Sequence, residues 1–403
     1  MSLPFFAEFG YNAEVVCVDE KYSDMVKDDL LSASVPAGTV IHSVKAFSKK
    51  RTSKIGLGSI ALRSLYFYNR KVKKLLRSKK YDLVYFSTTQ FPVCILGNYW
   101  KKKYKVPYVI DMQDPWHSEY YQDKPKQERP PKYWFSYRLN KLLEPIAMRH
   151  VDGLIAVSTA YITTLKERYP SIKDVPAATI TFGAFKPDFE ILAKNKIASA
   201  IEKKKGRLAL VYVGRGGHDM RESLQLLFSA FKRGLQEMPE VLKNFHFYFI
   251  GTSYAPQGKG EKTILPVAES LGIEEYVSEQ TDRVPFYQGL KTLTMADGFI
   301  IPGSNDAGYT ASKLYPYILA QKPLLGIFHE KSSAVKILKE CQAGEALTLQ
   351  SDFNCFYLRC RQFFLGIYNN TLNIQTDWKS FEPYTAKEMC RRQVELFEAV
   401  LKQ

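Results

Sequence analysis

The sequence predicts an α/β protein of two parallel-sheet domains. Three observations carry that expectation. The length, 403 residues, suffices for about two domains, each with its own core. Short apolar runs that end in glycine, proline or polar residues alternate with helix-period segments along the chain. Between them, Lys186–Gly206 is charged and ends in Lys203-Lys204-Lys205-Gly206, a hinge-like composition.

Phe299–Phe328 shows the strand, glycine-rich loop, helix, strand pattern most fully. Phe299-Ile300-Ile301 is an apolar run stopped by Pro302-Gly303, as at the carboxyl end of a buried parallel strand. The loop Ser304–Thr310 contains Gly308, and glycines there let backbone N–H groups approach a ligand closely. Ser312 is placed to cap the next helix, and Pro316 falls near its first turn, where a missing N–H costs least. A helix N-terminus carries about half a positive charge, and Lys313 adds a whole one. The combination suits a phosphate, although an ordinary βαβ unit with a surface lysine has the same local pattern.

Composition narrows the class. Hydrophobic residues make up 45% and charged residues 24%, ordinary for a soluble globular protein. No apolar run approaches the ~20 residues of a membrane span. The start, MSLPFFAEFG, lacks a basic segment and is interrupted by Glu8, so no signal peptide is expected. The six cysteines form no C-x-x-C, which predicts buried or free thiols in a reducing cytosol rather than a disulfide or zinc framework. The net charge of +16 is local: Lys45–Lys105 holds 17 Lys and Arg against one acid, Asp82, and the rest is balanced. Within it, Ile60–Lys80 reads as an amphipathic helix. Leu65, Tyr68, Val72, Leu75 and Leu76 lie on one side, and Arg63, Arg70, Lys71, Lys74 and Arg77 mostly on the other. Such a face suits anionic lipid headgroups at about 1 kcal/mol per residue. Nucleic acid is the rival partner, and a merely solvated face the third possibility.

In chain order, Met1–Phe9 reads as the end of a helix, Gly10-Tyr11-Asn12 as a turn and Ala13–Val18 as a strand. Asp82–Thr88 is a strand, and Phe91-Pro92 opens a helix to about Lys103. Val106–Met112 is the next strand and runs into Gln113-Asp114-Pro115-Trp116-His117. Ligands bind outside the carboxyl ends of strands in such sheets, which makes Asp114 and His117 candidates; Asp114 is equally placed to cap a helix. Tyr120, Tyr121, Pro125, Pro130, Pro131, Tyr133, Trp134 and Tyr137 crowd Ser118–Tyr137. Their rings suit a sugar, a lipid headgroup or a membrane interface, or simply a packed loop. Val151–Ser158 is a strand, with Ser158 capping the helix Thr159–Arg168; Thr179–Phe185 is a short strand. Arg207–Gly214 restarts a sheet and enters Arg215–Arg221, whose glycines fit a loose G-x-G with Asp219 at the third glycine position. Gly56-Leu57-Gly58 follows a lysine-rich stretch, not a strand, and is rejected as a phosphate loop. Phe245–Gly251 is a strand, Leu290–Asp297 a helix, and Tyr384–Lys402 has helical periodicity at Cys390, Val394, Phe397 and Leu401.

Taken in order, these segments resemble the GT-B glycosyltransferases, particularly family 4. Ser312, Lys313, Leu314, Tyr317, Ala320, Lys322 and Pro323 match an S-K-L-x-x-Y-x-x-A-x-K-P run of the donor helix. That family's paired glutamates are absent, with Gly308 and Pro316 near their positions. VDGLIAVS resembles a strand of the amino-terminal domain, and TITFGAF the strand before the interdomain linker. Arg215 with Arg221 resembles the G-R loop that contacts the donor diphosphate, and DRVPF the segment that meets the nucleobase. The chain start resembles the first helix and second strand, so the resemblance implies a first strand ahead of Met1 and an amino-terminally truncated chain.

The resemblance implies two Rossmann-like domains facing an interdomain cleft. Residues 1–186 would be the acceptor domain, lacking its first strand and with 384–403 packing back on it; residues 206–383 would bind a nucleotide-sugar. The implied reaction is transfer of a sugar to a cell-envelope or lipid-linked glycan, retaining and metal-independent, with no cofactor and no D-x-D metal motif. Arg215, Arg221, Lys313 and the 312–316 helix terminus would neutralise the departing diphosphate, while Asp114 or His117 orients substrate. Gly214, Gly216, Gly217, Arg283, Val284, Gly308, Tyr309, Thr310 and Ser312 would line the donor. Expected partners are the nucleotide-sugar, the glycan acceptor and, through residues 45–105, an anionic membrane surface on the inner face of the plasma membrane; nucleic acid is not expected. Two other readings use the same residues: a sugar-nucleotide epimerase or hydrolase of this fold, and a non-catalytic basic lipid- or nucleic-acid-binding protein with a degenerate cleft.

Overall fold

The structure is a computed structural model that describes every residue except 24–27, 120, 121, 123, 124, 127, 128, 130–132 and 307–313. The chain forms two compact units. One comprises Ser2–Val26, Val35–Phe182 and Lys387–Gln403; the other comprises Met1, Lys27–Ser34 and Gly183–Ala386.

The first unit has two parallel sheets. β1 (Glu14–Val18) pairs with β2 (Val40–Val44), and β3 (Val84–Ser87), β4 (Tyr108–Met112), β5 (Gly153–Ala156) and β6 (Ala177–Thr179) form a sheet in that order. All five residues of β4 are buried, because the strand is covered on both faces. On one face Phe86, Tyr108 and Ile110 pack with Trp100 of the helix Ile95–Tyr104 and with Ala147 and Met148 of the helix Tyr133–Met148. On the other, Val109, Ile155 and Ile180 pack with Cys390, Val394, Phe397 and Val400 of the last helix, Ala386–Leu401. The contact is close: a Cβ at Gly153 would lie 2.8 Å from Val400 Cγ2. Periodicity ends one residue early, since Leu401 is exposed.

The second unit has one six-stranded parallel sheet in the order β12-β11-β10-β7-β8-β9. The strands are β7 (Leu208–Val213), β8 (Phe245–Ile250), β9 (Val277–Gln280), β10 (Gly298–Pro302), β11 (Leu324–Phe328) and β12 (Glu345–Thr348). Counted from β7, this is the doubly wound order, which reverses direction between β7 and β10. Leu224, Leu227, Phe228 and Phe231 of the helix Arg221–Glu237 are buried in its core, with Phe356, Phe363 and Phe364 of the helix Phe353–Tyr368.

Several local expectations change. Arg63 of the helix Ile60–Ser78 is buried, not on the basic face: its guanidinium donates to the carbonyls of Phe47 (2.7 Å) and Tyr22 (3.1 Å), which gives those backbone groups partners under the helix. Ser158 occupies the N-cap position, but its side chain makes no capping bond. The residues before Gly10 form a single 3₁₀ turn, Phe6–Phe9. β2 escapes the sequence reading because His42 and Ser43 interrupt its apolar character. The supposed hinge contains the helix Pro187–Lys194, held in the second unit by Asp188, which accepts a 2.9 Å hydrogen bond from Tyr287 Oη. All six cysteines are free. Among the described residues no helix is long and apolar enough to cross a membrane.

β1 is tied to the loop before β3 by Glu14, whose carboxylate accepts from Lys79 Nζ and from Tyr81 Oη (2.6 Å). The hydrogen bond from Lys79, then that from Tyr81, lowers the Glu14 carboxyl from 4.5 to about 2. A carboxyl depressed on folding stabilises the fold above its ordinary pKa, and the effect is lost as pH falls through the folded value. Wild type should therefore melt above Glu14→Gln at pH 7, with the difference shrinking between pH 4.5 and 2. A pH-independent difference in melting temperature would contradict this.

Candidate active site

The second unit's candidate site forms where β7 and β10 part. The two strands pair only at Gly298↔Leu210 and Phe299↔Val211, although β7 pairs with β8 along its whole length. The backbone groups of Val213 therefore lack a strand partner on the β10 side. Tyr317, in the helix Leu314–Leu319, supplies one. Its hydroxyl accepts from Val213 N–H (2.7 Å) and donates to Val213 C=O (3.0 Å). The ring is buried edge-on to Phe299 and stacked on Tyr212. Ser223 makes a second tie, from the start of the 221–237 helix to the end of β10, by donating to Gly303 C=O at 2.9 Å.

Beyond Val213 the chain enters Gly214–Gly217. Gly214 N–H donates to Ile250 C=O (2.9 Å) and Gly216 N–H to Thr252 C=O (2.8 Å). Those two amides are thus spent on the neighbouring strand, and what these glycines offer is closeness of backbone. Arg215 reaches across the loop to Asp219 in a paired contact, Nη1–Oδ1 3.0 Å and Nη2–Oδ2 2.6 Å. Burial pulls the Asp219 carboxyl up, but the Arg215 guanidinium outweighs it and the net shift is down. A Cβ at Gly217 would fall 2.4 Å from Asp219 Oδ1 and 2.6 Å from Arg215 Nη1, so glycine is what lets the ion pair fold over the loop. Arg221 is exposed at the first turn of its helix. Asn305 N–H donates to Asp219 C=O at 3.3 Å, which brings the loop after β10 to the same place.

Arg283 and Val284 join from the segment between β9 and the helix Phe286–Met295. Gly251, at φ +71°, lies against Arg283, whose guanidinium stacks 4.1 Å from the exposed Tyr254 ring. Thus Gly214, Arg215, Gly216, Gly217, Arg221, Arg283 and Val284 all stand at the carboxyl ends of β7, β8 and β9. Gly308, Tyr309, Thr310, Ser312 and Lys313 lie outside the described residues.

In the first unit, Asp114 and His117 stand past the end of β4 and have different environments. The turn is pinned by Trp116, which stacks on Phe91 and exchanges hydrogen bonds with Asn140. Asp114 is left exposed, with its carboxyl raised by partial burial; its charge also raises the Tyr161 phenol, after the larger effect of burial. His117 is buried. Its backbone N–H donates to Glu144 (2.9 Å) and its carbonyl accepts from Arg168 (3.1 Å), while Glu144 also accepts from Arg168 and Tyr169. The ring lies 4.8 Å from that of Tyr137, and neither ring nitrogen has a hydrogen-bond partner among the described residues. Burial, then the charge of Arg168, lowers its pKa and favours the neutral imidazole. Sequence reading missed Asp111, which hides inside an apolar run. It is buried, accepts from Tyr85 Oη (2.9 Å), and has its carboxyl raised by that burial. Tyr120, Tyr121, Pro130 and Pro131 lie outside the described residues.

Two Rossmann-like units of parallel sheet and helix define an α/β architecture, and comparison with known proteins narrows it. The sequence model of Glycosyltransferase Family 4 matches residues 12–181, which span β1 to β6. Sucrose-phosphate synthase of Thermosynechococcus elongatus is similar in structure at 10% identity, with TM-score 0.56, over 100% of this chain and 92% of that one. HepE of Anabaena, solved with UDP and glucose, is similar at 11% identity, with TM-score 0.53, over 96% of this chain and 99% of that one. HepE solved with UDP-glucose gives 12% identity and TM-score 0.50 over the same shares. No curated protein matches by sequence. The fold is GT-B, and residues 12–181, the stretch from β1 to β6, resemble Glycosyltransferase Family 4.

Removing the Tyr317 hydroxyl leaves two backbone groups at the strand divergence unsatisfied, at about 1–3 kcal/mol for each buried group. Tyr317→Phe should therefore lower the melting temperature. An unchanged melting curve would show that Val213 finds other partners.

Proposed function

We propose that the protein transfers a sugar from a nucleoside-diphosphate sugar, bound where β7 and β10 part, to a cell-envelope or lipid-linked glycan acceptor received by the first unit. Anomeric configuration is retained, and no metal ion takes part. The observation that carries this reading is Arg215: at the strand-order reversal, its guanidinium already grips a pair of oxygens, those of Asp219. Diphosphate oxygens offer the same forked acceptor geometry with more charge.

The chemistry asks chiefly for charge neutralisation. As the acceptor oxygen bonds to the anomeric carbon, the bond from that carbon to the phosphate oxygen breaks, and the hydroxyl proton leaves with the diphosphate. Arg215, Arg221, the positive end of the 221–237 helix and Lys313 stabilise that leaving group. Reaction on one face of the sugar needs no enzyme nucleophile, so Asp114 and His117 orient substrate rather than attack it. Arg283 and Val284 meet the base, and Gly214, Gly216, Gly217, Gly308, Tyr309, Thr310 and Ser312 pass close to the diphosphate and sugar. The UDP bound by HepE makes UDP the first nucleotide to test.

The basic 45–105 region faces an anionic membrane, holding the protein peripherally on the inner face of the plasma membrane, where a lipid-linked acceptor is concentrated. Tyr66, Asn69, Arg70, Lys73, Lys74 and Arg77 line a shallow groove along the 60–78 helix, which supports a seat for anionic headgroups.

Thermal denaturation with UDP, GDP, ADP, dTDP or CMP tests the donor. One nucleotide at a hundred times its Kd should add roughly 2.7 kcal/mol. Arg215→Ala should abolish that stabilisation and cut transfer by about two to three orders of magnitude. Lys313→Ala should lose transfer with an unchanged melting temperature. Full activity in either variant, or silence from every nucleotide, would overturn the reading.

A further inference from the structure

One helix of the first unit carries an exposed apolar surface to which the transfer chemistry assigns no role. Tyr133–Met148 buries Leu143, Glu144, Ala147 and Met148 against its own unit. Its other side presents Trp134, 64% exposed, Leu142, 65% exposed, and Ile146, 39% exposed. Arg138, Lys141, Pro145 and Arg149 are exposed beside them. Positions 134, 138, 141, 142, 145, 146 and 149 recur at helical spacing, so they form one stripe about 22 Å long. Large apolar side chains scattered singly on a surface need no explanation, but aligned on one face they do.

The charge on that stripe has one sign. The only acid in the helix, Glu144, is buried and paired with Arg168. Basic groups flank the apolar residues at both ends. At the amino end Arg138 lies 5.9 Å from the Trp134 ring. There Phe135 packs so closely on Gly56 that a Cβ at Gly56 would be 3.0 Å from its ring, which sets the Lys49–Lys54 segment alongside. At the carboxyl end the exposed basic group is Arg149; Lys101 nearby donates to His150 C=O at 3.0 Å but is paired with Asp152.

We propose that this stripe is a membrane-insertion face, with Trp134, Leu142 and Ile146 entering the headgroup and acyl boundary of an anionic bilayer while Arg138, Lys141 and Arg149 meet its phosphates. The inference rests only on the membrane part of the function proposed above. Positive charge alone fits any polyanion. Leucine and isoleucine flanked by tryptophan and arginine fit an interface that can take apolar side chains out of water, which a phosphate backbone cannot do.

The test is co-sedimentation of the full chain with vesicles of phosphatidylcholine alone or with one third phosphatidylglycerol, at low and physiological salt. Wild type should bind the anionic vesicles. Leu142→Glu/Ile146→Glu should reduce partitioning about tenfold or more without changing the melting temperature, since glutamate is a good helix former. Leu358→Glu, at a comparably exposed leucine of the second unit, should leave binding unchanged. Quenching of tryptophan emission by brominated lipid in wild type, lost in Trp134→Phe, reads insertion independently of the charged variants. Binding by Leu142→Glu/Ile146→Glu equal to wild type, with loss on reversing Arg70, Lys74 and Arg77, would overturn the insertion face and leave the basic seat standing. No binding to any vesicle at low salt would overturn both, as would preference for a duplex oligonucleotide. Nucleotide binding is measured separately and is untouched by either result.

Discussion

A parallel sheet that reverses its strand order must part at the reversal, and the backbone exposed there must find partners. In this protein one phenol meets that demand. Ala209, Val211 and Val213 direct their polar backbone toward β10. Asp297 serves Ala209, the β10 ladder serves Val211, and Tyr317 Oη serves Val213. Because β10 no longer competes for Val213, the Gly214–Gly217 loop turns out over the sheet edge, and the loop after β10 comes to meet it. The position of Arg215 and Asp219 follows from that arrangement.

The first unit solves a different problem. Its sheet is covered on one face by the last helix of the chain, so the final residues are part of that core rather than an appendage. Past the end of β4 the backbone of His117 is held by Glu144 and Arg168, two charged groups that neutralise each other inside the unit. Glu144 is buried and Arg168 half-buried, so removing the arginine would leave a carboxylate inside the unit without its charged partner. The clamp leaves Asp114 exposed at the turn and His117 enclosed, which gives neighbouring candidates unequal access to a substrate.

Much of the architecture was legible because buried parallel strands are short apolar runs. FHFYFIG, RLALVYVG and GFIIP leave little ambiguity, and the periodicity of the last helix shows in Cys390, Val394 and Phe397. What failed to show depends on partners distant in sequence. Arg63 looks like a surface charge until the Phe47 and Tyr22 carbonyls are placed above it. Asp188 sits in a charged stretch that reads as linker, yet its carboxylate is buried against Tyr287. Tyr317 stood out as part of a motif, but its function as a backbone partner for β7 needs the strand order. Asp219 appeared only as a missing glycine; four residues from Arg215, it is the other half of the ion pair. Asp111 lay unnoticed in VPYVIDM, where one acid in an apolar run carries no local signal of its hydrogen bond to Tyr85.

The central claim is that a nucleotide-sugar binds where β7 and β10 part. Hydrogen exchange of the full chain with and without the nucleotide that stabilises it addresses this most directly. Slowed exchange confined to residues 213–221, 251–254, 282–285 and 303–305 is the predicted result. Protection elsewhere in the chain, with these segments exchanging as in the free protein, would contradict the account.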